Sequence, residues 1–218
     1  KVFEGLYRDA NIALANELAR FADELAVDVR EAIDAANTQE FCDIHTPGPG
    51  VGGHCIPYYP YFVLNWLATD APLVRTARGV NDSMPAFVVE KVTEGLRRDG
   101  VDPDDATVLV LGLTYRAGVA ETRASPAVEV CDGLASRGAS VLAADPLVED
   151  GSEFEATLVP VDSVQGLDVD AAVLATAHEE FDAVDWTAFE PMTVVDARDA
   201  VPASVDSHRV YTVGRGSE

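Results

Sequence analysis

The stretch from Pro47 to Pro60, PGPGVGGHCIPYYP, sets Gly48, Gly50, Gly52 and Gly53 in front of Cys55. Glycine admits positive φ and lets backbone amides approach a ligand with no side chain in the way. Such a loop can wrap a sugar or a pyrophosphate and present a thiol to it. The thiol attacks as its thiolate, which needs a cationic neighbour or a helix N-terminus. A helix expected to start near Pro57 would supply the second. His54 is adjacent, but neighbouring side chains in an extended loop point apart, so it is not taken as the base. Cys42 and Cys131 read as small buried hydrophobes. No spacing of His, Cys, Asp and Glu suits a metal.

A second set of chemical groups is made of arginines. The apolar run Ala106 to Leu113 has strand length and leads into GLTYRAGVAETR, which places Arg116 and Arg123 at the carboxyl edge of a sheet, where open α/β folds bind ligands. VVDARDAV puts Arg198 just beyond another strand. Guanidinium groups there suit an anionic ligand, phosphate above all, because they pair with it bidentately. The competing reading is surface arginines paired with local acids.

The elements that must hold these residues fall into two halves. From Phe3 to Asn37 apolar residues recur three or four apart and pause near Ala26, which predicts two helices. YFVLNWLA and the run from Pro72 to Gly100 also read as helices, the latter kinked at Pro85. Beyond residue 101 short apolar runs alternate with helical or polar pieces. In SPAVEVCDGLASRG, Ser125 can cap a helix, Pro126 suits its first turn and Gly138 its close. The expected fold class is α/β: a mostly helical domain over 1–101, then a Rossmann-like doubly wound parallel sheet over 102–218. No G-x-G-x-x-G follows a strand. Because the chain opens with Lys1 inside a helical pattern, it is expected to be a fragment lacking an N-terminal portion.

Composition removes several partners. A net charge of −23, from 38 acidic and 15 basic residues, makes nucleic acid or an anionic membrane surface unfavourable. With 48% hydrophobic residues the acidity belongs to a folded surface. Lys1 and Lys91 are the only lysines, and a halophilic, high-salt cytoplasm would explain the balance; a merely acidic mesophile protein is the alternative. Three cysteines, no signal peptide and no bilayer-length apolar run place the chain in the cytoplasm with reduced thiols.

YRDANIALANELA, PGPGVGGHCIPYYPYF, TARGVNDSMPAFVVEKV, LGLTYRAGVAETRASPAVEV, LATAHEEF and VVDAR match, in order, motifs of the UDP-glucose/GDP-mannose dehydrogenase family, and the chain resembles its aminosugar branch. The resemblance covers nearly the whole chain. It implies a central helical domain that forms a homodimer and a C-terminal UDP-binding domain, with an N-terminal NAD-binding domain absent here. The implied reaction takes a UDP-hexose CH2OH, N-acetyl-mannosamine in the nearest branch, to the carboxylate with two NAD, through a cysteine thiohemiacetal and thioester. Cys55 matches the catalytic cysteine and Lys1 the lysine that assists proton transfer. Arg8, the loop Thr46, Pro47, Gly48, Pro49, Gly50, Val51 and Gly52, the pair Tyr115 and Arg116, and Arg198 match substrate-binding positions. Cys55, Ile56, Pro57, Tyr58 and Arg123 match positions that face NAD.

Three positions depart from the family pattern. Gly5 stands where the family has asparagine, Tyr59 where it has aspartate, and Phe41 where an arginine crosses the dimer. Two readings follow: half of a UDP-aminosugar dehydrogenase, inactive without its NAD domain, or a degenerate nucleotide-sugar-binding or dimerising protein on the same scaffold.

Overall fold

In the computed structural model, which describes residues 1–202 and 205–217, the first half is helical because apolar positions recur at helical spacing. Helix α1 (Val2–Ala19) packs chiefly along α5 (Pro72–Asp82) and buries Gly5, Asp9, Ala13, Ala15, Asn16 and Ala19. The chain then makes three pieces where two are predicted. The Phe21 amide bonds the Leu18 carbonyl at 2.9 Å and ends α1. A single turn, α2 (Ala22–Leu25), follows and stops at Ala26, which is left-handed at φ 51. Then α3 (Val29–Ala36) is capped by Asp28, whose carboxylate accepts from the Glu31 amide at 3.0 Å.

Helix α4 (Tyr59–Trp66) follows the glycine loop. The long helix expected from Pro72 to Gly100 is broken rather than kinked. It ends as α5, and α6 (Met84–Arg98) restarts after Ser83 with Pro85 in its first turn, where a missing N–H leaves no carbonyl unpaired.

The second half is a seven-stranded sheet in the order β3-β2-β1-β4-β5-β6-β7: β1 (Thr107–Leu111), β2 (Ser140–Ala144), β3 (Thr157–Leu158), β4 (Ala171–Leu174), β5 (Thr193–Asp196), β6 (Arg209–Thr212) and β7 (Gly216–Ser217). The first six are parallel, and β7 runs antiparallel to β6. Strands β4 and β5 are buried throughout, as a sheet covered on both faces requires. The edge strands β3 and β7 have two residues each, too few for a period to register.

One face carries α6 and α7 (Pro126–Ala135), joined through Val88, Val92, Leu96, Val130, Leu134 and Val195. As predicted, α7 is capped by Ser125, whose hydroxyl accepts from the Ala127 amide at 3.3 Å. The other face is closed by short 3-10 turns that bring in Phe181, Trp186 and Phe189. Strand order reverses between β1 and β4, so the crevice at their carboxyl ends is the ligand-binding position of such a sheet. No helix among the described residues is long and apolar enough to cross a membrane.

Candidate functional site

The glycine loop crosses the carboxyl edge of this sheet, and its contacts explain why its residues are small. A Cβ on Gly52 would stand 2.6 Å from the Ala124 carbonyl oxygen and 2.7 Å from the Tyr115 Cβ. Gly53, at φ +91, would set one 2.9 Å from the Tyr115 ring, and its amide donates to the Arg123 carbonyl at 2.9 Å. At the other end Gly48 lies against Arg198, 3.2 Å from Cβ position to Nη1. The loop thus joins Tyr115 and Arg123, after β1, to Arg198, after β5. Pro47, Gly48 and Pro49 are buried, Gly50, Val51 and Gly52 half-buried, and Thr46 exposed.

The arginines differ in what they meet. Arg123 lies 3.7 Å from Glu121, which also pairs with His54 at 2.9 Å. Arg8 faces Glu4 at 3.7 Å on the exposed side of α1. Arg116 is exposed, and its guanidinium has no ion pair among the described residues. Arg198 uses Nε to hold the Ala175 carbonyl at 2.7 Å and likewise has no acid within ion-pair distance. Asp196, two residues before it, already accepts from the amides of Arg198, Ala200 and Val201. Burial, with Arg30 nearby, lowers Arg198 to about 10, so it stays charged at neutral pH.

Cys55 is half-buried at the corner where α1 meets α4. The helix begins at Tyr59 rather than near Pro57, and its start does not serve the thiol as the sequence suggests. The amides of Tyr58 and Tyr59 donate to the carbonyl of Cys55 itself, at 3.2 and 3.0 Å; those of Tyr61 and Phe62 donate to Tyr58, and Pro60 has none. No first-turn N–H is left over for sulfur. Lys1 is raised first by its hydrogen bond to Glu4, with Tyr59 and Cys55 adding smaller effects. Ile56 is half-buried, Pro57 buried and Tyr58 exposed beside it. Cys42, expected to be buried, is half-exposed, because the turn at 38–42 runs over the surface.

Several supporting residues escaped sequence reasoning. Arg30 is buried on α3 and donates to the carbonyls of Val213 at 2.7 Å and Pro47 at 3.0 Å, tying the loop to the end of β6. Beneath the loop, the Gly48 amide donates to Asn16, Asn16 to Asn81, and Asn81 and Arg78 to the Asp9 carboxylate. Burial raises Asp9, and Arg78 opposes that shift. Past β1, one Asp145 oxygen accepts from the amides of Leu113 and Thr114 at 2.6 and 2.9 Å and meets His178 Nε2 at 3.1 Å. His178 Nδ1 accepts from the Gly118 amide, which puts the ring proton on Nε2. This knot holds the turn that carries Tyr115 and Arg116. An acid directly after SVLAA, at a strand's carboxyl end, was its one visible signal.

The three thiols should differ in reactivity. Burial, with Asp132 adding, pushes Cys131 up to about 12. Under native conditions iodoacetamide is therefore expected to label Cys42 and Cys55 and to spare Cys131 until the chain unfolds, as peptide mapping by mass spectrometry would read. Native labelling of Cys131 would mean that the α7 face of the core opens readily.

Comparison with known proteins agrees with this architecture. Residues 1–83 match the central domain, and residues 109–203 the UDP binding domain, of the UDP-glucose/GDP-mannose dehydrogenase family, and the chain belongs to that family. It is 38% identical over 220 residues to the UDP-N-acetyl-D-mannosamine dehydrogenase of Pyrococcus horikoshii, covering 99% of this chain and 51% of that one. The enzyme of the same description from Methanocaldococcus jannaschii is 42% identical over 182 residues, 83% of this chain and 40% of its own. The solved structure of the Pyrococcus horikoshii UDP-D-ManNAc dehydrogenase superposes with a TM-score of 0.87 at 37% identity, covering 99% of this chain and 51% of that one. The chain spans about half the length of the relatives it matches.

Proposed function

We propose that the chain is the substrate-holding half of an NAD-dependent UDP-aminosugar 6-dehydrogenase, with UDP in the crevice of the sheet and the sugar directed toward Cys55. The observation that carries this is a pair of arginines, Arg116 and Arg198, at the sheet's carboxyl edge, whose guanidinium groups have no ion pair among the described residues in a chain of net charge −23. Guanidinium groups at that edge suit an anionic ligand, because they pair with phosphate bidentately. The Thr46–Gly52 loop closes over the nucleotide and offers amides to its sugar and phosphates. Tyr115 and Arg116 bound the crevice on the β1 side, and Arg8 approaches the sugar from α1. The substrate is UDP-N-acetyl-mannosamine, after the relatives' names.

The residues present do not cradle NAD. The turn after β1 is GLTYRAG, which sets Thr114 where a dinucleotide fingerprint has the second glycine that lets backbone approach the pyrophosphate. NAD would be held by a separate domain and would supply acceptance of the two hydrides lost from C6, and Cys55, Ile56, Pro57, Tyr58 and Arg123 would border it from this chain. The Cys55 thiolate adds to the aldehyde carbon, Lys1 steadies the resulting oxyanion, loss of the second hydride turns the thiohemiacetal into a thioester, and water then displaces the thiolate to leave the carboxylate.

A second copy covers the helical half. Phe3, Tyr7 and Leu14 share one face of α1 and are 84, 55 and 47% exposed; Phe41 and Trp66 are 96 and 80% exposed. Sedimentation should give a dimer, and a monomer at micromolar concentration would remove that part of the proposal.

The binding test needs this chain alone, in high KCl as the acidic surface recommends. Calorimetry should detect UDP, and Arg198→Ala should weaken it by about 10- to 100-fold, the loss of a charge-assisted hydrogen bond. Arg123→Ala, which removes an arginine paired with Glu121, should change UDP affinity less than threefold by the same scale. UDP that fails to bind, or binds the Arg198 variant equally well, defeats the assignment.

A further inference from the structure

Residues 175–178, ATAH, leave the carboxyl end of β4 and are bonded both to Arg198 and to the turn that carries Arg116. The Ala175 carbonyl takes Nε of Arg198 at 2.7 Å. One residue on, the Thr176 hydroxyl donates to the Thr114 carbonyl at 2.6 Å. Gly112, at φ +88, permits this approach, since a Cβ there would stand 2.3 Å from the Thr176 carbonyl oxygen. Then His178 Nε2 lies 2.7 Å from the Thr114 hydroxyl, and Nδ1 accepts from the Gly118 amide at 3.5 Å. Thr114 and Gly118 bracket Arg116, whose carbonyl closes the turn by accepting from the Val119 amide at 3.3 Å. Residues 116–118 are exposed, whereas Thr114, Thr176 and His178 are buried. An edge-to-face contact with Phe181, 5.7 Å between centroids, fixes the imidazole plane. A surface arginine is thus mounted on a buried polar frame whose other end grips Arg198.

We infer that segment 175–178 is a brace that fixes Arg116 relative to Arg198 for a nucleoside diphosphate, with His178 as the positioning residue for Arg116. This deepens the proposed UDP site and rests on it. Arg198 is anchored through its own Nε. The Arg116 guanidinium makes no hydrogen bond among the described residues, so its placement comes from the turn beneath it. Two arginines grip one anion together only where both mounts are already in place, because ordering a loose turn on binding subtracts from the affinity. Buried inside the frame, His178 works through Arg116 rather than on the ligand. A histidine that merely stabilised the fold would act alike with or without that arginine.

UDP calorimetry on variants of this chain tests it. His178→Phe keeps a ring against Phe181 and removes the hydrogen bonds. It should weaken UDP by about tenfold, the scale of one lost hydrogen bond, yet by less than about twofold in an Arg116→Ala background. His178→Gln, which offers a donor and an acceptor, should recover affinity to within about threefold of the parent. Thr176→Val, which removes the bond to the Thr114 carbonyl, should show the same dependence on Arg116 and serves if the phenylalanine variant does not fold. Amide exchange read by mass spectrometry follows the turn with no ligand present: the peptide holding residues 113–118 should exchange about tenfold faster in His178→Phe. Parent-like UDP affinity in the variants, or an equal loss with and without Arg116, overturns the inference and leaves the UDP site intact. A parent chain that ignores UDP sinks the proposed function; faster exchange in the variant then leaves the brace standing, and unchanged exchange removes it too.

Discussion

Arg78→Met should destabilise the fold by about 3–5 kcal/mol, the usual result of removing one member of a buried ion pair. In a chain of this size that corresponds to a fall in Tm of roughly 6–20 °C. Arg78 is 3% exposed and reaches Asp9, itself 2% exposed, and Asp82 at 2.9 Å. Methionine approximates the arginine stem but leaves the Asp9 carboxylate buried with Asn81 as its principal donor and one oxygen, Oδ2, with no partner. The double variant Asp9→Asn/Arg78→Met should recover much of the loss, because it removes both charges rather than stranding one. Urea denaturation of both variants decides the matter. A loss below about 1 kcal/mol for Arg78→Met would mean that water reaches the pair. Since Asn81 and Asn16 connect Asp9 to the Gly48 amide, the same variant should also loosen UDP binding.

Under the proposed function, Cys55→Ser in a protein that joins this chain to an NAD-binding domain should collapse steady-state NADH formation by on the order of 10^4-fold or more, the scale on which loss of a covalent nucleophile is felt. A serine hydroxyl in this corner has no imidazole base: His54 is turned to Glu121. UDP affinity should stay within about twofold, because the groups assigned to UDP lie at the sheet edge and make no use of the sulfur. Activity within tenfold of the parent would remove Cys55 from the chemistry, and loss of UDP binding would show that the substitution had disturbed the loop instead.

What the sequence made legible was local. Ser125 and Pro126 start a helix through their own chemistry, and the glycines of the loop report a close approach that the structure makes to Tyr115 and Ala124. Strands β1, β4 and β5 could be read because burial on both faces leaves apolar runs, with Thr107, Thr193 and Asp196 only at strand ends. Arg30 could not. On α3 it follows Val29 and looks like the polar side of an amphipathic helix, and the Val213 carbonyl that it satisfies is 183 positions away. Asp9 and Arg78 are hidden for the same reason, since a charge period looks alike whether the partner is water or another helix. The α4 start was misplaced at Pro57 because that proline suits a first turn equally well. The turn made by the Cys55 carbonyl delays the helix to Tyr59, with Pro60 the proline that falls in its first turn.

Helix α6 follows α5 with a single residue between them, yet its Val88, Val92 and Leu96 are roofing for the sheet. The two halves therefore cannot be parted at the point where helices give way to strands. A piece beginning at Asp102 would bare those valines' partners, each worth about 1.5–3 kcal/mol when covered, and should precipitate. One beginning at Ser83 keeps that roof but loses the Thr46–Gly52 loop that crosses the sheet's carboxyl edge.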